Sequence, residues 1–447
     1  MSSPIPERDG ARRGDRQHLL LVVTVLVVSA LQVAWPARGS AAPTIAAGGP
    51  ALPAISTGPD DEALLVEALE QVRRGDLDRA LRDIETLVAR NPKFRLAQLV
   101  YGDLLLAKTR PIGGFGAQLA DRPGALADLR DEARVRWRNR LRSLDPDWLP
   151  APLLRMSASQ RRALVIDVSE SRLYVFLNTA SGPRLERSVY VSTGKNGAHK
   201  VREGDQRTPL GVYFLTGRIA PASLPDFYGA GAFPVNYPNE WDVRQGRTGY
   251  GIWLHGVPAD TYSRPPRASD GCMALPNEDM SALWTSLDAD NTPVIIAERI
   301  TWLPRAEVEA RALALEAAID GWRRSWESRA DGEYARFYAS DFTGAGLGRQ
   351  QWLEHKRRVN AGKRFIRVAL DDLSAFEYPG EDGLVVVTFE QSYRSDNFSE
   401  RARKRMYWRA GPRGEATILH EDAATLRPEH LRGIPYSARS EMSALSR

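Results

Sequence analysis

The chain has one cysteine among its 447 residues, Cys272, and only six histidines. A solitary cysteine cannot form a disulfide within its own chain, so the sequence excludes a disulfide-stabilised scaffold. His199, His355, His420 and His430 do not stand at metal-ligand spacing from carboxylates or from the cysteine, so we predict neither a zinc site nor any other cofactor. No basic stretch alternates with stacking aromatic residues, and nucleic acid is therefore not an expected partner.

The N-terminus has the composition of a secretory signal. Arg12, Arg13 and Arg16 precede an apolar run from Leu19 to Trp35, and small residues follow it. We therefore predict that residues 1–42 are a signal peptide and that the chain is exported to the periplasm. An uncleaved anchor in the inner membrane is the alternative, because the run approaches the lower length limit of a spanning helix. In an oxidising compartment an unpaired cysteine is either a buried inert thiol or a free reactive one.

At this length two or three domains are expected after signal removal. Residues 43–59 are mostly Ala, Gly, Pro, Ser and Thr, which predicts a flexible linker. Residues 60–150 have apolar side chains at helical spacing; Gly75 and Asn91-Pro92 separate the first segments, and a charged helix is predicted from Ala125 to Leu144. This helical region resembles a tetratricopeptide-type hairpin with one extra helix, so we expect it to pack on the next domain and to be a candidate site for a protein partner.

Residues 155–300 are predicted to form a mostly-β domain. Short runs of β-branched and aromatic residues, such as Ala163–Val168 and Arg172–Leu177, are separated by turn residues, which is typical of hairpins. We expect an antiparallel sheet folded on itself.

Residues 310–430 are predicted to form a third domain. Helical patterns at Glu307–Trp326 and Ala330–Tyr338 come first, and strands with apolar alternation follow them. The expected fold class is therefore multidomain: an α-helical, tetratricopeptide-like segment, a mostly-β domain and a C-terminal α+β cone.

The lone cysteine has a histidine partner in the sequence. Cys272 lies in the run Ser269-Asp270-Gly271-Cys272-Met273-Ala274, and His255 stands seventeen positions before it. A thiolate is a strong nucleophile once an imidazole takes its proton. Gly271 permits a tight turn, so the amides of Cys272 and its neighbours are expected to hold a developing oxyanion. The loop from Val257 to Ala268 is long enough to shape a substrate cleft. The pattern predicts a cysteine acyl-transfer enzyme.

These residues resemble the L,D-transpeptidase (YkuD-type) catalytic domain, whose signature is His-Gly, a variable loop and then Ser-His-Gly-Cys-x-Arg. The resemblance covers roughly Arg161 to Ala297 and includes the runs Ser192-Thr193-Gly194-Lys195 and Thr208-Pro209-Leu210-Gly211. It implies that Cys272 is the nucleophile, that His255 accepts its proton, and that the Gly256 carbonyl or a nearby hydroxyl orients the imidazole. It also implies a fold and a substrate class, the peptide stems of peptidoglycan.

Further candidate site residues fall into two groups. The oxyanion or orienting residues are Gly256, Gly271 and Ser269, and the substrate-pocket residues are Asp270, Ser263 and Thr208. The sequence departs from the family signature at two positions. Asp270 replaces the second histidine, and Ala274 replaces the arginine that helps to organise the substrate pocket.

The last domain is similar to nuclear-transport-factor-like domains, on Trp322, Trp326, Tyr334 and the later run Phe389–Tyr393. Its fusion behind a YkuD-type domain resembles the muropeptide-trimming enzymes that set helical cell shape, and the cone is expected to position or bind glycan. The resemblance implies an L,D-transpeptidase working through a thioester acyl-enzyme in cell-wall remodelling. An L,D-carboxypeptidase that trims tetrapeptides to tripeptides is the alternative, because either an amine or water can attack the thioester. A non-catalytic wall-binding scaffold is the alternative from another class.

Overall fold

The computed structural model describes residues 61–111, 114–116, 119, 122–141, 144–411 and 415–425. The predicted signal peptide or anchor (1–42) and the predicted linker (43–59) lie outside the described residues. Among the helices within these ranges, none has both the length and the apolar composition needed to cross a membrane.

The described residues of the N-terminal region form four helices. They are α1 (Asp61–Arg74), α2 (Leu77–Arg90), α3 (Arg95–Ala107) and α4 (Pro123–Leu141). Gly75 has a φ of +84°, which ends α1, and the Asp76 carboxylate accepts the Arg79 N–H at 3.2 Å, which caps the start of α2. Ile84 and Phe94 are completely buried between the helices. The predicted helices are therefore present, while their classification as tetratricopeptide-like stays a prediction.

The central region consists of short strands and two further helices. The strands are β1 (Trp148–Pro150), β2 (Arg162–Asp167), β3 (Arg172–Thr179), β4 (Gly182–Tyr190), β5 (Thr193–Gly194), β6 (Gly211–Phe214), β7 (Ala232–Pro234), β8 (Trp253–His255), β9 (Arg267–Ser269), β10 (Met273–Ala274), β11 (Pro293–Ala297) and β12 (Trp302–Pro304), and the helices are α5 (Glu240–Arg244) and α6 (Asn277–Ser286). The larger sheet has the strand order β4-β3-β2-β11-β6, and a smaller sheet has the order β10-β8-β7.

The prediction of an antiparallel sheet is wrong at three pairings of the central region. β11 runs parallel to β2, β10 runs parallel to β8, and β5 runs parallel to β9. Both β2 and β11 are buried along their whole length, as is usual for parallel strands covered on both faces. The hairpin signal between β2 and β3 was correct but local, and it carried no information on the direction of a strand that returns more than a hundred residues later.

As far as residue 425, the C-terminal cone packs three helices against a six-stranded sheet. The helices are α7 (Arg305–Ser328), α8 (Asp331–Ala335) and α9 (Arg349–Ala361), and the strands are β13 (Tyr338–Gly344), β14 (Leu347–Gly348), β15 (Ile366–Glu377), β16 (Leu384–Ser395), β17 (Ser399–Ala410) and β18 (Ala416–Thr425). The predicted helix at Ala330–Tyr338 is wrong after Ala335, because Tyr338 pairs with Ile418 at the start of β13. The sequence prediction missed α9, in which only Trp352 and Asn360 are buried.

The central domain and the cone share one continuous hydrophobic core. Leu153 and Trp302 of the central region belong to the same buried cluster as Trp322 of α7 and Tyr407 of β17. Trp241 of α5 stacks on Tyr407, with ring centroids 5.5 Å apart. The two domains are therefore joined by packing, while the small β10-β8-β7 sheet packs in a second buried cluster with Leu254 and Met273.

Candidate active site

The parallel pair β8 and β10 places Cys272 next to His255. Ala274 lies opposite His255, and Met273 lies opposite Leu254. Continuing this register places Cys272, the residue just before β10, opposite Trp253. Side chains alternate along a strand, and laterally adjacent residues point to the same face. Cys272 and His255 therefore share one face of the sheet, as diagonal neighbours on adjacent strands.

His255 is held in one orientation and one tautomer. Its ring nitrogen Nδ1 lies 2.6 Å from the Gly256 carbonyl oxygen, which can only accept, so Nδ1 carries the proton and Nε2 is left as an acceptor. The ring is 1% exposed and lies against the rings of Phe227 and Tyr228. Burial disfavours the charged imidazolium and lowers the pKa of His255 to about 4. The imidazole is therefore neutral at pH 7.

Cys272 is partly accessible, and its thiol donates to the Gly251 carbonyl oxygen at 3.3 Å. Burial raises its pKa to about 11, while the backbone N–H of Trp253 and the charge of Arg264 act in the opposite direction. With a neutral thiol and a neutral imidazole at rest, the pair is suited to proton transfer during nucleophilic attack rather than to a preformed ion pair.

The turn before Cys272 requires glycine. Gly271 has a φ of +125°, and a Cβ at this position would lie 2.7 Å from the Arg207 carbonyl oxygen. Its N–H donates to Ser269 Oγ at 3.1 Å, and the Ser269 hydroxyl donates to the Cys272 carbonyl at 2.6 Å. To bind an oxyanion as expected, the Gly271 N–H would have to break its hydrogen bond to Ser269 Oγ. The Cys272 N–H is the other expected donor.

The three predicted pocket residues have different surroundings. Thr208 is completely buried, so its placement in the substrate pocket is wrong: its hydroxyl accepts the Gly194 N–H at 2.9 Å and donates to the Gly271 carbonyl at 3.0 Å. Asp270 is exposed and accepts hydrogen bonds from Lys195 and Gln206. Ser263 donates to Glu132 of α4 at 2.7 Å, so its hydroxyl connects the loop to the helical region.

Sequence reasoning missed Arg264, Phe227 and Asn277, which lie around the pair. Arg264 donates to the Phe227 carbonyl at 3.1 Å, and its guanidinium carbon lies 4.1 Å from the centre of the Phe227 ring. The Asn277 side chain accepts the Ala230 and Val257 N–H groups and donates to the Val257 carbonyl, which fixes the backbone around Gly256. Burial lowers the pKa of Arg264 below its ordinary value. Within the described ranges no cluster of His, Cys, Asp and Glu side chains could hold a metal ion.

Comparison with known families assigns two parts of the chain. Residues 161–296 match the L,D-transpeptidase catalytic domain, YkuD, and residues 314–422 match the Cds6 C-terminal NTF2-like domain. No curated protein matches the sequence.

Solved structures with both parts are similar to this chain. Bd1075 of Bdellovibrio bacteriovorus is 27% identical with a TM-score of 0.56, over 63% of this chain and all of that chain. Pgp2 of Campylobacter jejuni, described as a helical cell shape determining protein, is 25% identical with a TM-score of 0.53, over 61% of this chain and 95% of that chain. The chain thus carries an L,D-transpeptidase catalytic domain of the YkuD family followed by an NTF2-like domain.

Proposed function

We propose that this protein remodels peptidoglycan by thioester chemistry on its peptide stems, with Cys272 as nucleophile and His255 as proton acceptor. The observation that carries the proposal is the placement of a neutral imidazole, with Nδ1 bound to Gly256 and Nε2 free to accept, on the same sheet face as the lone thiol. The match to the L,D-transpeptidase catalytic domain supports the substrate class.

The proposed reaction has two halves. The thiol proton passes to His255 Nε2 as the sulfur attacks the stem carbonyl, and the oxyanion forms near the Cys272 N–H. Collapse of this intermediate breaks the amide bond, and the departing amine of the terminal D-amino acid takes the proton from Nε2. In the second half an acceptor attacks the thioester and gives its proton to His255, and the thiol is restored when the sulfur leaves.

We propose transfer to an amine of a second stem as the parent activity. Hydrolysis, which makes the enzyme an L,D-carboxypeptidase, is a second candidate, and one observation favours it. Ala274 stands where the family signature has a pocket arginine, so this position offers no cationic group to hold an acceptor stem.

The products distinguish these activities. The full chain would be incubated with tetrapeptide muropeptides and the mixture analysed by mass spectrometry. A new cross-linked dimer, or exchange of the terminal D-amino acid, indicates transfer, whereas tripeptide with no dimer indicates hydrolysis. Binding to wall sacculi without any turnover would support the scaffold and contradict both.

The mechanism is tested on the protein itself. Intact-protein mass spectrometry at short times is expected to show the acyl adduct on the unmodified chain and none on Cys272→Ala. Ser223→Ala, a change at an exposed serine, is the matched control and should retain the adduct. Turnover by Cys272→Ala would exclude the thioester route.

We also infer export to the periplasm. The arginines and the apolar run before residue 42 support it, and peptidoglycan is a substrate outside the cytoplasm. Cell fractionation, with N-terminal sequencing of the recovered chain, distinguishes a cleaved signal from a retained anchor and would contradict the inference if the protein stayed in the cytoplasm.

A further inference from the structure

The loop between His255 and Cys272 is bound on one side by the N-terminal helices. The Tyr262 ring packs on the buried Phe94 ring, with centroids 4.2 Å apart. The Ser263 hydroxyl donates to Glu132 of α4 at 2.7 Å, and Lys93 donates to the carbonyl of Ala259. Three successive parts of the loop therefore have partners that are more than a hundred residues away in the sequence.

On its other side the same loop is bound by the catalytic sheet. The Tyr190 hydroxyl donates to the Arg264 carbonyl at 2.7 Å, and the Ser192 hydroxyl donates to the Pro265 carbonyl at 2.6 Å. Arg136 of α4, itself 1% exposed, lies 3.9 Å above the centre of the Tyr190 ring. The helices therefore contact both the loop and the residue that holds the Arg264 backbone.

Between these two sets of anchors, the Arg264 side chain extends toward the site. It packs over Phe227, whose ring centre is 6.1 Å from that of His255. A guanidinium has five N–H donors, and the Phe227 carbonyl takes one of them. No side-chain carboxylate in the described part of the chain forms an ion pair with Arg264. The positive charge of Arg264 acts to lower the pKa of Cys272. A half-buried cation with unused donors therefore packs on the face of Phe227, the ring that lies against His255.

We propose that Arg264 binds the terminal carboxylate of the donor peptide stem, and that Tyr262 and Ser263 are positioning residues through which the N-terminal helices hold Arg264 in place. The inference rests on the proposed function and deepens it: the bond cleaved there precedes a terminal D-amino acid, which carries a free α-carboxylate. A guanidinium matches a carboxylate with two parallel hydrogen bonds, and a partly dehydrated one does so more strongly. Both transfer and hydrolysis need this recognition, since both expel the same residue.

The test compares Tyr262→Ala with Tyr262→Phe in the full chain. Loss of the ring should release the loop, whereas phenylalanine keeps the packing on Phe94. We expect Tyr262→Ala to raise KM for a tetrapeptide muropeptide about tenfold with a smaller change in kcat, and Tyr262→Phe to match the unmodified chain. Arg264→Gln should raise KM at least as much, and the double variant should add nothing further. Phe398→Ala, at an aromatic residue 54% exposed in the cone, is the matched control.

A substrate whose terminal carboxylate is converted to an amide tests the ligand. The unmodified chain should have a raised KM for it, and Tyr262→Ala should raise that KM no further. An equal effect of Tyr262→Ala on the acid and the amide would overturn the carboxylate assignment. An unchanged KM for the acid would overturn the positioning role. Thermal melting identifies a Tyr262→Ala chain that fails to fold, in which case Ser263→Ala, which removes only the bond to Glu132, replaces it.

Failure of the proposed function gives a different result. It appears as no turnover of any muropeptide by the unmodified chain. Calorimetric binding of the tetrapeptide to Cys272→Ala, with and without Tyr262→Ala, still decides the inference, because binding requires no chemistry. A Kd about tenfold higher for the chain with both Cys272→Ala and Tyr262→Ala than for Cys272→Ala alone supports the inference, and equal Kd values overturn it.

Discussion

The imidazole of His255 donates from Nδ1 to the carbonyl of the next residue, Gly256, at 2.6 Å. A backbone carbonyl thus does the orienting work that a carboxylate does in many catalytic triads. A carbonyl carries no net charge, so this contact offsets the cost of burying an imidazolium less than a carboxylate would. The result is a base with a low pKa beside a thiol with a high one.

This pair sets the pH dependence of activity. Burial lowers the pKa of His255 from 6.5 to about 4, and His255, as the proposed base, can accept a proton only when neutral, so kcat/KM should persist as the pH falls through 6 and decline only near pH 4. A pH profile of kcat/KM on a tetrapeptide muropeptide checks this. A decline centred near pH 6.5 would show that the ring is hydrated in the working enzyme.

The reactivity of the Cys272 thiol is expected to rise at high pH. Burial raises the pKa of Cys272 to about 11, so alkylation by iodoacetamide should be slow at pH 7 and accelerate up to that value. The rate is measured by mass spectrometry of the intact chain. Cys272→Ala removes the only thiol and gives the background. Fast alkylation at pH 7 with an inflection below pH 8 would indicate a resting thiolate instead.

Thr208 supports the turn that carries Cys272. Thr208→Val keeps the shape but removes the hydroxyl, which leaves the Gly194 N–H and the Gly271 carbonyl without this partner. We expect a loss of about 1–3 kcal/mol in the free energy of unfolding, with a fall in kcat because Gly271 precedes Cys272. Urea unfolding and steady-state kinetics measure the two effects. Thr208→Ser retains the hydroxyl and should lose less than half as much; equal losses would assign the effect to packing.

The sequence alone predicted the features that depend on a local pattern or on a rare residue type. Cys272 stood out because the chain has no other thiol, and His255 because it precedes a glycine at a strand end. Helices α1 to α3 followed from apolar spacing. Features that depend on distant contacts were not predictable. Thr208 was predicted to line the substrate pocket, because its contacts with Gly194 and Gly271 cannot be seen in the sequence.

Arg264 illustrates the same limit. Nothing near it in sequence distinguishes it from the other arginines of a basic chain, and its place beside His255 depends on Tyr190 and on Phe227. The strand directions failed for a related reason. β11 joins β2 across a long intervening segment, and only the tertiary fold determines that they run parallel.

Arg244 adds a set of polar contacts to the packed joint between the catalytic domain and the cone. This side chain donates to Thr343 Oγ1, to the Leu419 carbonyl and to the backbone and carboxylate oxygens of Asp341, all at 2.7–2.8 Å. Arg244→Ala should lower the free energy of unfolding by about 2 kcal/mol. Arg244→Lys keeps the charge but not the planar fork, so it should recover only part of the loss. Full recovery by lysine in urea unfolding would show that charge alone matters.

The cone contains a lysine whose titration should appear in its stability. Lys356 lies 4.7 Å and 4.5 Å from the ring centres of Trp326 and Trp352, and burial lowers its pKa from 10.5 to about 8. Between these values the unfolded chain binds more protons than the folded one, so this group makes the folded state more stable as the pH rises.

Relative to Lys356→Met, the unmodified chain should therefore gain about 2–3 kcal/mol between pH 8 and pH 10.5, since each pKa unit corresponds to about 1.4 kcal/mol. Urea unfolding of both proteins at several pH values measures this difference, and other lysines cancel because both chains contain them. A constant difference across the range would mean that Lys356 titrates alike in the folded and unfolded states, and so that the ammonium reaches water past the two tryptophan rings.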